Sequence, residues 1–298
     1  MIRLIFFTCI VFALALSIDV PLYQSLPPTP HLPNGGRQGR YITSDGSRLW
    51  YRMYPGQPNR PLITFLHGGY TNSNYWGLQI TALRGHFPIL AIDSRGHGRS
   101  VDNTSNPITY SIMADDVVSI LDHLGHNRTH IVGWSDGGII GLDIAMRYPL
   151  YLHGLFCFGC SYSYENVNVT IMSSPTFLKC MPRVQEEYSH LNPQPQNWKE
   201  FKDKMESLWS KLPSWNEKDL KDIPDKNEGK EIWVVDGAEE EAINLSTPKE
   251  MSEWIDGSKL VILPGVSHFA FMQSPAAFTR VLKQYLFAKE SSIDSLRS

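Results

Sequence analysis

The stretch Gly133-Trp134-Ser135-Asp136-Gly137 lies between an apolar run, Thr129 to Val132, and a helical pattern from Gly137 to Arg147 that stops before Pro149. A serine in that position sits on a tight strand-to-helix turn, strained and exposed, and only glycines two residues to either side let neighbouring backbone pass closely. The helix that follows points backbone N–H groups at any negative charge developing beside the serine. Such a turn demands a buried strand and a packed helix at once, so the rest of the chain should supply a layered core.

The flanking sequence does so. Tyr41-Ile42-Thr43 and Leu49 to Tyr54 flank an Asp45-Gly46 turn, which predicts an antiparallel hairpin. Leu62 to Leu66, Ile89 to Ile92, Thr129 to Val132, Leu155 to Phe158, Ile232 to Val235 and Leu260 to Leu263 are short apolar runs of the kind buried on both faces. Helical patterns alternate with them: a stripe of Ile112, Met113, Val117, Ile120, Leu121 and Leu124 ending at Gly125, a helix near Pro248 to Ile255, and a closing one from Pro275 to Phe287. The expectation is an α/β fold with a mostly parallel, doubly wound sheet of eight strands. Alternation breaks between about 160 and 230, where six prolines stand among Trp198, Trp209 and Trp215. That segment reads as a partly helical cap inserted after strand six, so residues 41–289 form one domain and 290–298 a tail.

The amino terminus reads as an export segment. Arg3 precedes the apolar run Leu4 to Leu16, and Ala15-Leu16-Ser17 supplies small residues where a signal peptidase cuts, which predicts a cleaved signal over 1–17 and a secreted protein. The run falls short of the roughly 20 residues a bilayer span needs, and Asp19 and Pro21 cut it off. Residues 18–40, with five prolines and three glycines, read as an extended leader. Export agrees with four N-x-S/T acceptors, at Asn103, Asn127, Asn168 and Asn244. Asn127 and Asn244 lie close to core elements, so occupancy is expected more at Asn103 and Asn168. A net charge of −3 and the lack of any Lys/Arg-rich run give no footprint for nucleic acid. None of the four cysteines has the spacing of a zinc site, Cys157 and Cys160 coming closest. One cysteine leaves with the signal, so at least one of the other three stays unpaired within a monomer. Cys160 and Cys180 both fall at or in the cap and are candidates to staple it, while Cys157, in a strand run, reads as a buried thiol.

Two further elements belong with Ser135. His67-Gly68-Gly69 follows the strand ending at Leu66, and the N–H of Gly69, with that of Asp136, can bind an oxyanion; Tyr70 is the lesser candidate. His268, just past a strand and ahead of the last helix, can reach the serine turn as a base. An acid must come from Asp236-Gly237-Ala238-Glu239-Glu240-Glu241, which offers four carboxylates.

The order Ser135, acid, His268, with His67-Gly68-Gly69 upstream and Asp93-Ser94-Arg95-Gly96-His97-Gly98-Arg99-Ser100 between, resembles the α/β-hydrolase superfamily from Tyr41 to Lys289. In that superfamily the acid usually stands three residues after the glycine ending strand seven. Counting from Gly237 gives Glu240, where Asp is more usual, with Asp236 and Glu239 as competitors. The resemblance implies acyl transfer by a serine hydrolase: Ser135 attacks a carbonyl, His268 relays the proton, Glu240 orients the imidazole, and no metal or organic cofactor is required. The Asp93 to Ser100 segment is expected to be structural, and Asp115 and Asp116 to be the solvated face of their helix. Among subfamilies the motifs resemble small-ester and lactone hydrolases of the valacyclovir-hydrolase and enol-lactonase type, whose partner is a small molecule. Trp76 and Trp134, with Tyr162, Tyr164, Phe177 and Trp198 of the cap, suggest an aromatic pocket. The Asp136 carboxylate offers an alternative, binding the amine of an amino-acyl ester, against the plainer role of stabilising the helix N-terminus. A non-catalytic receptor on the same fold is the competing class. It would show a lost triad member or oxyanion loop, and neither is lost.

Overall fold

The computed structural model describes residues 20–224 and 231–288. The expected signal at 1–17 and the tail at 290–298 lie outside the described residues. Eight strands form one sheet: β1 (Arg37–Ile42), β2 (Arg48–Tyr54), β3 (Leu62–Leu66), β4 (Ile89–Asp93), β5 (Thr129–Trp134), β6 (Leu152–Phe158), β7 (Glu231–Gly237) and β8 (Lys259–Leu263). Their order is β1-β2-β4-β3-β5-β6-β7-β8. β1 with β2 and β2 with β4 are antiparallel, and every other pair is parallel. The central strands are largely apolar because helices cover both faces, and β3 and β4 are buried at every residue.

Helix α1 (Gly77–Leu83), α2 (Tyr110–His123), α3 (Asp136–Arg147), α7 (Thr247–Trp254), α8 (Ala270–Gln273) and α9 (Pro275–Phe287) surround the sheet. α2 starts where the Thr109 side chain accepts the Ile112 N–H, and turns away at Gly125 with φ +73°. α3 packs so close to the sheet that a Cβ on Gly141 would lie 2.5 Å from Leu155 Cδ1. Between β6 and β7 the chain forms α4 (Pro175–Leu191), α5 (Trp198–Trp209) and α6 (Glu217–Lys221). Lys204 ties this cap to Asp102 at 2.9 Å, and Asn192 Nδ2 donates to the Ser100 carbonyl at 2.9 Å. Among the described residues no helix is long and apolar enough to cross a membrane.

The structure corrects several expectations. β1 begins at Arg37 rather than near Tyr41, because its pairing with β2, Gly39 facing Tyr51, overrides the weak strand preference of its glycine. The preceding leader is strapped down: Leu26 and Leu32 are buried, and Gln273 Nε2 donates to the carbonyls of Tyr23 and Ser25. Asp116 is not solvated. It faces inward and receives Arg95 through two hydrogen bonds of 2.9 and 2.7 Å, whereas Asp115 is exposed beside Arg147. The Asp93 to Ser100 loop is internally locked, with Asp93 accepting the Ser73 and Arg99 N–H groups. Of the four sequon asparagines, Asn103, Asn127 and Asn244 are exposed and Asn168 is half-buried, so nearness to core elements does not hide the pair expected to be less occupied.

The expected Cys160–Cys180 staple is not formed. Cys160 pairs with Cys157, and Cys180 is a buried free thiol on α4. The cause is local: Gly159 turns the chain at the end of β6 with φ +58°, which brings Cys160 back within a Cα separation of 6.1 Å from Cys157. Burial pushes the Cys180 thiol up to about 12, leaving it unreactive.

Candidate active site

The carboxyl ends of β3, β5, β6, β7 and β8 meet at one edge of the sheet, where open α/β sheets place their ligands. Ser135 is there, with φ +53° and ψ −122°. Both flanking glycines are sterically required: a Cβ on Gly133 would lie 2.3 Å from the Gly137 carbonyl oxygen, and one on Gly137 would lie 2.2 Å from that of Leu66. The turn is pinned by the Ser135 N–H, which donates to the Phe158 carbonyl at 2.8 Å.

His268 stands in the loop between β8 and α8, almost fully buried. Its Nδ1 lies 3.0 Å from Glu240 Oε2, and with the proton on Nδ1 that nitrogen donates to the carboxylate. Glu240 Oε1 accepts the N–H groups of Ala242 and Ile243, so the loop after β7 fixes the acid's own orientation. The competitors separate cleanly. Glu239 is exposed. Asp236 is buried inside the end of β7, where its Oδ1 accepts the Gly237 N–H, leaving Oδ2 without a donor. Burial first, and then the neighbouring Glu240, push the Asp236 carboxyl well above its ordinary range, so as an acid it can donate its proton toward Glu240. Burial likewise raises Glu240 to about 7, against the hydrogen bonds from Asp236, Ala242 and Ile243. His268 is shifted down by burial, opposed by Glu241, Asp236 and Asp136.

Glu241, which the sequence offered only as one more carboxylate, has a distinct task. It accepts the His268 backbone N–H at 3.1 Å, the Ser267 hydroxyl at 3.1 Å and the hydroxyl of Thr176 on α4, tying the base's loop to the cap.

The His67-Gly68-Gly69 loop closes over the serine turn, and a Cβ on Gly68 would lie 3.2 Å from Ser135 Cβ. His67 holds it: Nε2 accepts the Ser94 N–H at 3.0 Å while Nδ1 lies 2.8 Å from the Gly68 carbonyl, and burial lowers the ring's pKa. Tyr70 also has positive φ, +60°, which throws its ring up against Trp209, Trp198 and Phe201 and leaves Gly69 facing the serine turn. The N–H of Asp136 belongs to the first turn of α3, among those a helix leaves without internal acceptors.

The expected aromatic walls are elsewhere. Trp76 is fully buried, donates from Nε1 to the Leu66 carbonyl and packs against Phe65 and Phe271, so it is core rather than substrate contact. Trp134 is also buried, with its ring 5.6 Å from His268 and 5.7 Å from Tyr75. Of the cap aromatics, Phe177 comes to 5.8 Å from the His268 ring, whereas Tyr162 turns away to Trp254 and Glu250. The residue that covers the site is Trp209, the last of α5, singled out by nothing in the sequence beyond its place in the cap. A Cβ on Gly69 would lie 2.3 Å from its Cζ2, and its Nε1 donates to both Asp136 carboxylate oxygens at 3.1 and 3.0 Å. Tyr110 donates to the same carboxylate at 2.8 Å. Burial raises Asp136 to about 6 despite these donors.

Comparison with known proteins places the chain in a family. Over 108 residues the chain is 35% identical to a protein assigned as the carbamate hydrolase RutD of Caulobacter sp. (strain K31), covering 36% of this chain and 40% of that one. Thus the chain spans well under half of that relative's length. Two solved structures share the fold: a hydrolase from Pseudomonas aeruginosa PA01 (TM-score 0.68, 24% identity, 85% of this chain and 99% of that one) and the enol-lactonase from Burkholderia xenovorans LB400 (TM-score 0.64, 20% identity, 83% and 99%). Residues 65–281, well over half the chain, match the model of the alpha/beta hydrolase family, and the protein belongs to that family.

Proposed function

We propose that this hydrolase cleaves small esters or lactones through an acyl-enzyme on Ser135. The observation that carries the reading is the strained Ser135 turn at the same sheet edge as a buried His268–Glu240 pair at 3.0 Å. In the proposed cycle His268 Nε2 takes the Ser135 proton as Oγ adds to the carbonyl carbon. The N–H groups of Gly69 and Asp136 hold the oxyanion, and the imidazolium formed is stabilised by Glu240. Proton return from Nε2 expels the alcohol, and water repeats the sequence on the ester of Ser135. The apolar rings of Trp209 and Phe177 near the triad support an uncharged substrate, and the enol-lactonase fold likeness is compatible with a cyclic ester. Export through the apolar amino-terminal run, with glycans on Asn103, Asn127, Asn168 and Asn244, is part of the same proposal.

A panel of short and long acyl esters, lactones, carbamates and amino-acyl esters, together with a fluorophosphonate probe, tests the reading. Turnover of esters or lactones and labelling of wild type but not Ser135→Ala are expected; no labelling of the wild type would sink it.

The amine alternative finds no support at Asp136. Its carboxylate already accepts from Trp209 and Tyr110, which occupy both of its oxygens. The expected outcome is that kcat/KM for an amino-acyl ester and for its desamino analogue stand in the same ratio in wild type and Asp136→Asn. A ratio that drops tenfold in the variant would restore the amine-binding role.

A further inference from the structure

Three separate contacts converge on Cys157-Phe158-Gly159-Cys160, the stretch that leaves β6 and is closed on itself by the disulfide. The first is to the nucleophile turn: the Phe158 carbonyl accepts the Ser135 N–H at 2.8 Å. Behind that turn, a Cβ on Gly138 would lie 2.8 Å from Cys160 Cβ and 2.9 Å from Cys157 Sγ, so the disulfide rests directly on the first turn of α3. The second contact is to the base. A Cβ on Gly159 would lie 2.9 Å from both Nδ1 and Cε1 of His268 and 3.7 Å from Glu240 Oε2, so the bare backbone of Gly159 backs the imidazole at the atom that meets the acid. The third is to the acid's strand, where the Gly159 N–H donates to the Val235 carbonyl at 3.0 Å.

We infer that Cys157 and Cys160 are a positioning pair for the reaction: their disulfide holds Gly159 as the floor under His268 and sets the height of the Ser135 turn above it. The inference rests on the reading of Ser135 and His268 as nucleophile and base. A role in global stability explains the bond poorly, because a crosslink between residues three apart closes a very short loop and removes little entropy from the unfolded chain. A role in thiol exchange explains it no better, since Cys157 is 0% and Cys160 3% exposed. What a short loop does well is fix local backbone. Gly159 has φ +58°, and the stretch on either side of it carries the two hydrogen bonds that place the serine turn against β7. With the bond open, the end of β6 can relax away from α3 and the imidazole loses its backing. Misplacement of reacting groups by about an ångström costs on the order of 100-fold in rate while leaving remote substrate contacts intact.

The test compares wild type, Cys157→Ala/Cys160→Ala and Cys157→Ser/Cys160→Ser, with Cys180→Ala as the control for loss of a buried thiol. Non-reducing peptide mapping of the wild type should find Cys157 linked to Cys160. The double variants should retain cooperative melting, lose roughly 10- to 100-fold in kcat with KM changed less than about threefold, and react with the fluorophosphonate probe more slowly by the same factor. Cys180→Ala should match wild type in both rates. As a second measurement, wild type is reduced with dithiothreitol in urea, which opens the buried bond to exchange, and returned to buffer without oxidant before assay; the reagent's two thiols pass two electrons and two protons to the disulfide and close to a cyclic disulfide. The fraction of probe reactivity lost should track the fraction of Cys157 and Cys160 found as thiols. Free thiols at both positions in the oxidised protein, wild-type rates in a folded double variant or in the reduced protein, or loss of fold in every one of these forms would each overturn the inference. Failure of the wild type to react with the probe at all would instead remove the reading of Ser135 on which it rests.

Discussion

Ser135→Gly is expected to abolish turnover and at the same time melt about 2–4 °C above Ser135→Ala. Both variants remove the hydroxyl, and loss of a triad nucleophile costs on the order of 10⁶-fold in kcat. They differ in the backbone. With φ +53° and ψ −122°, Ser135 holds a Cβ where L side chains are rarely found, at a cost on the order of 1–3 kcal/mol. Alanine keeps that Cβ and its strain. Glycine relieves it, and after the extra freedom glycine gives the unfolded chain, a net gain of about 1 kcal/mol should remain. Calorimetric melting of the two variants side by side is the measurement. If Ser135→Gly melted at or below Ser135→Ala, strain at the turn would not be part of how the serine is presented.

That strain belongs to a wider arrangement. Tyr70, also at positive φ, has its own strain offset by the aromatic cluster it forms with Trp198, Phe201 and Trp209 of the cap. The cap is thus not merely laid over the site. It holds the loop from His67 to Tyr70 in a conformation that loop would not choose alone, and it covers Gly69 with Trp209. Trp209 and Tyr110 of α2 share the Asp136 carboxylate as acceptor, which joins the cap to the turn that carries Ser135.

The central strands were legible in the amino acids because burial on both faces leaves a run of apolar residues with no other explanation. Ile89 to Ile92 and Leu62 to Leu66 are examples. The start of β1 was not, because an edge strand is chosen by its partner and Arg37 to Arg40 carries no apolar pattern. The pairing of Glu240 with His268 was legible only through the superfamily's spacing: four carboxylates stand together, and which one faces the imidazole depends on how the loop after Gly237 turns. The disulfide was missed because its cause, one left-handed glycine between the cysteines, leaves no trace in composition. Trp76 and Trp209 show the same limit from the other side. The direction each ring points is set by a short 3-10 turn in one case and the last turn of α5 in the other.

Glu240→Gln is expected to lower kcat by about 10⁴-fold and to make the protein more stable than wild type at pH 8. The catalytic loss follows from orientation. Glutamine's NH₂ can donate to Nδ1, which stabilises the tautomer carrying its proton on Nε2, and that nitrogen then cannot accept from Ser135. The stability gain follows from the sign of the acid's shift. Burial raises Glu240 from 4.5 to about 7, so between those pH values the folded protein holds a proton that the unfolded chain has released. Wild type therefore loses stability as pH rises through that window, on the order of 3 kcal/mol in full, and the loss is nearly complete by about pH 8. Glutamine has no such penalty at any pH. His268, lowered by burial, gives both proteins a term of opposite sign near its ordinary range, and Asp236 is raised by burial first and then by Glu240, so the variant also relieves part of the Asp236 shift. Comparing the two stability curves thus reports Glu240 together with its coupling to Asp236. Urea unfolding at pH 5 and pH 8 should show the variant's advantage at pH 8 and little or none at pH 5. In the same window the wild-type rate should fall as pH drops below about 7, since a protonated Glu240 cannot stabilise the imidazolium. An advantage that is equal at the two pH values would mean that Glu240 is ionised in the folded protein throughout, held there by the N–H groups of Ala242 and Ile243 and by the base itself.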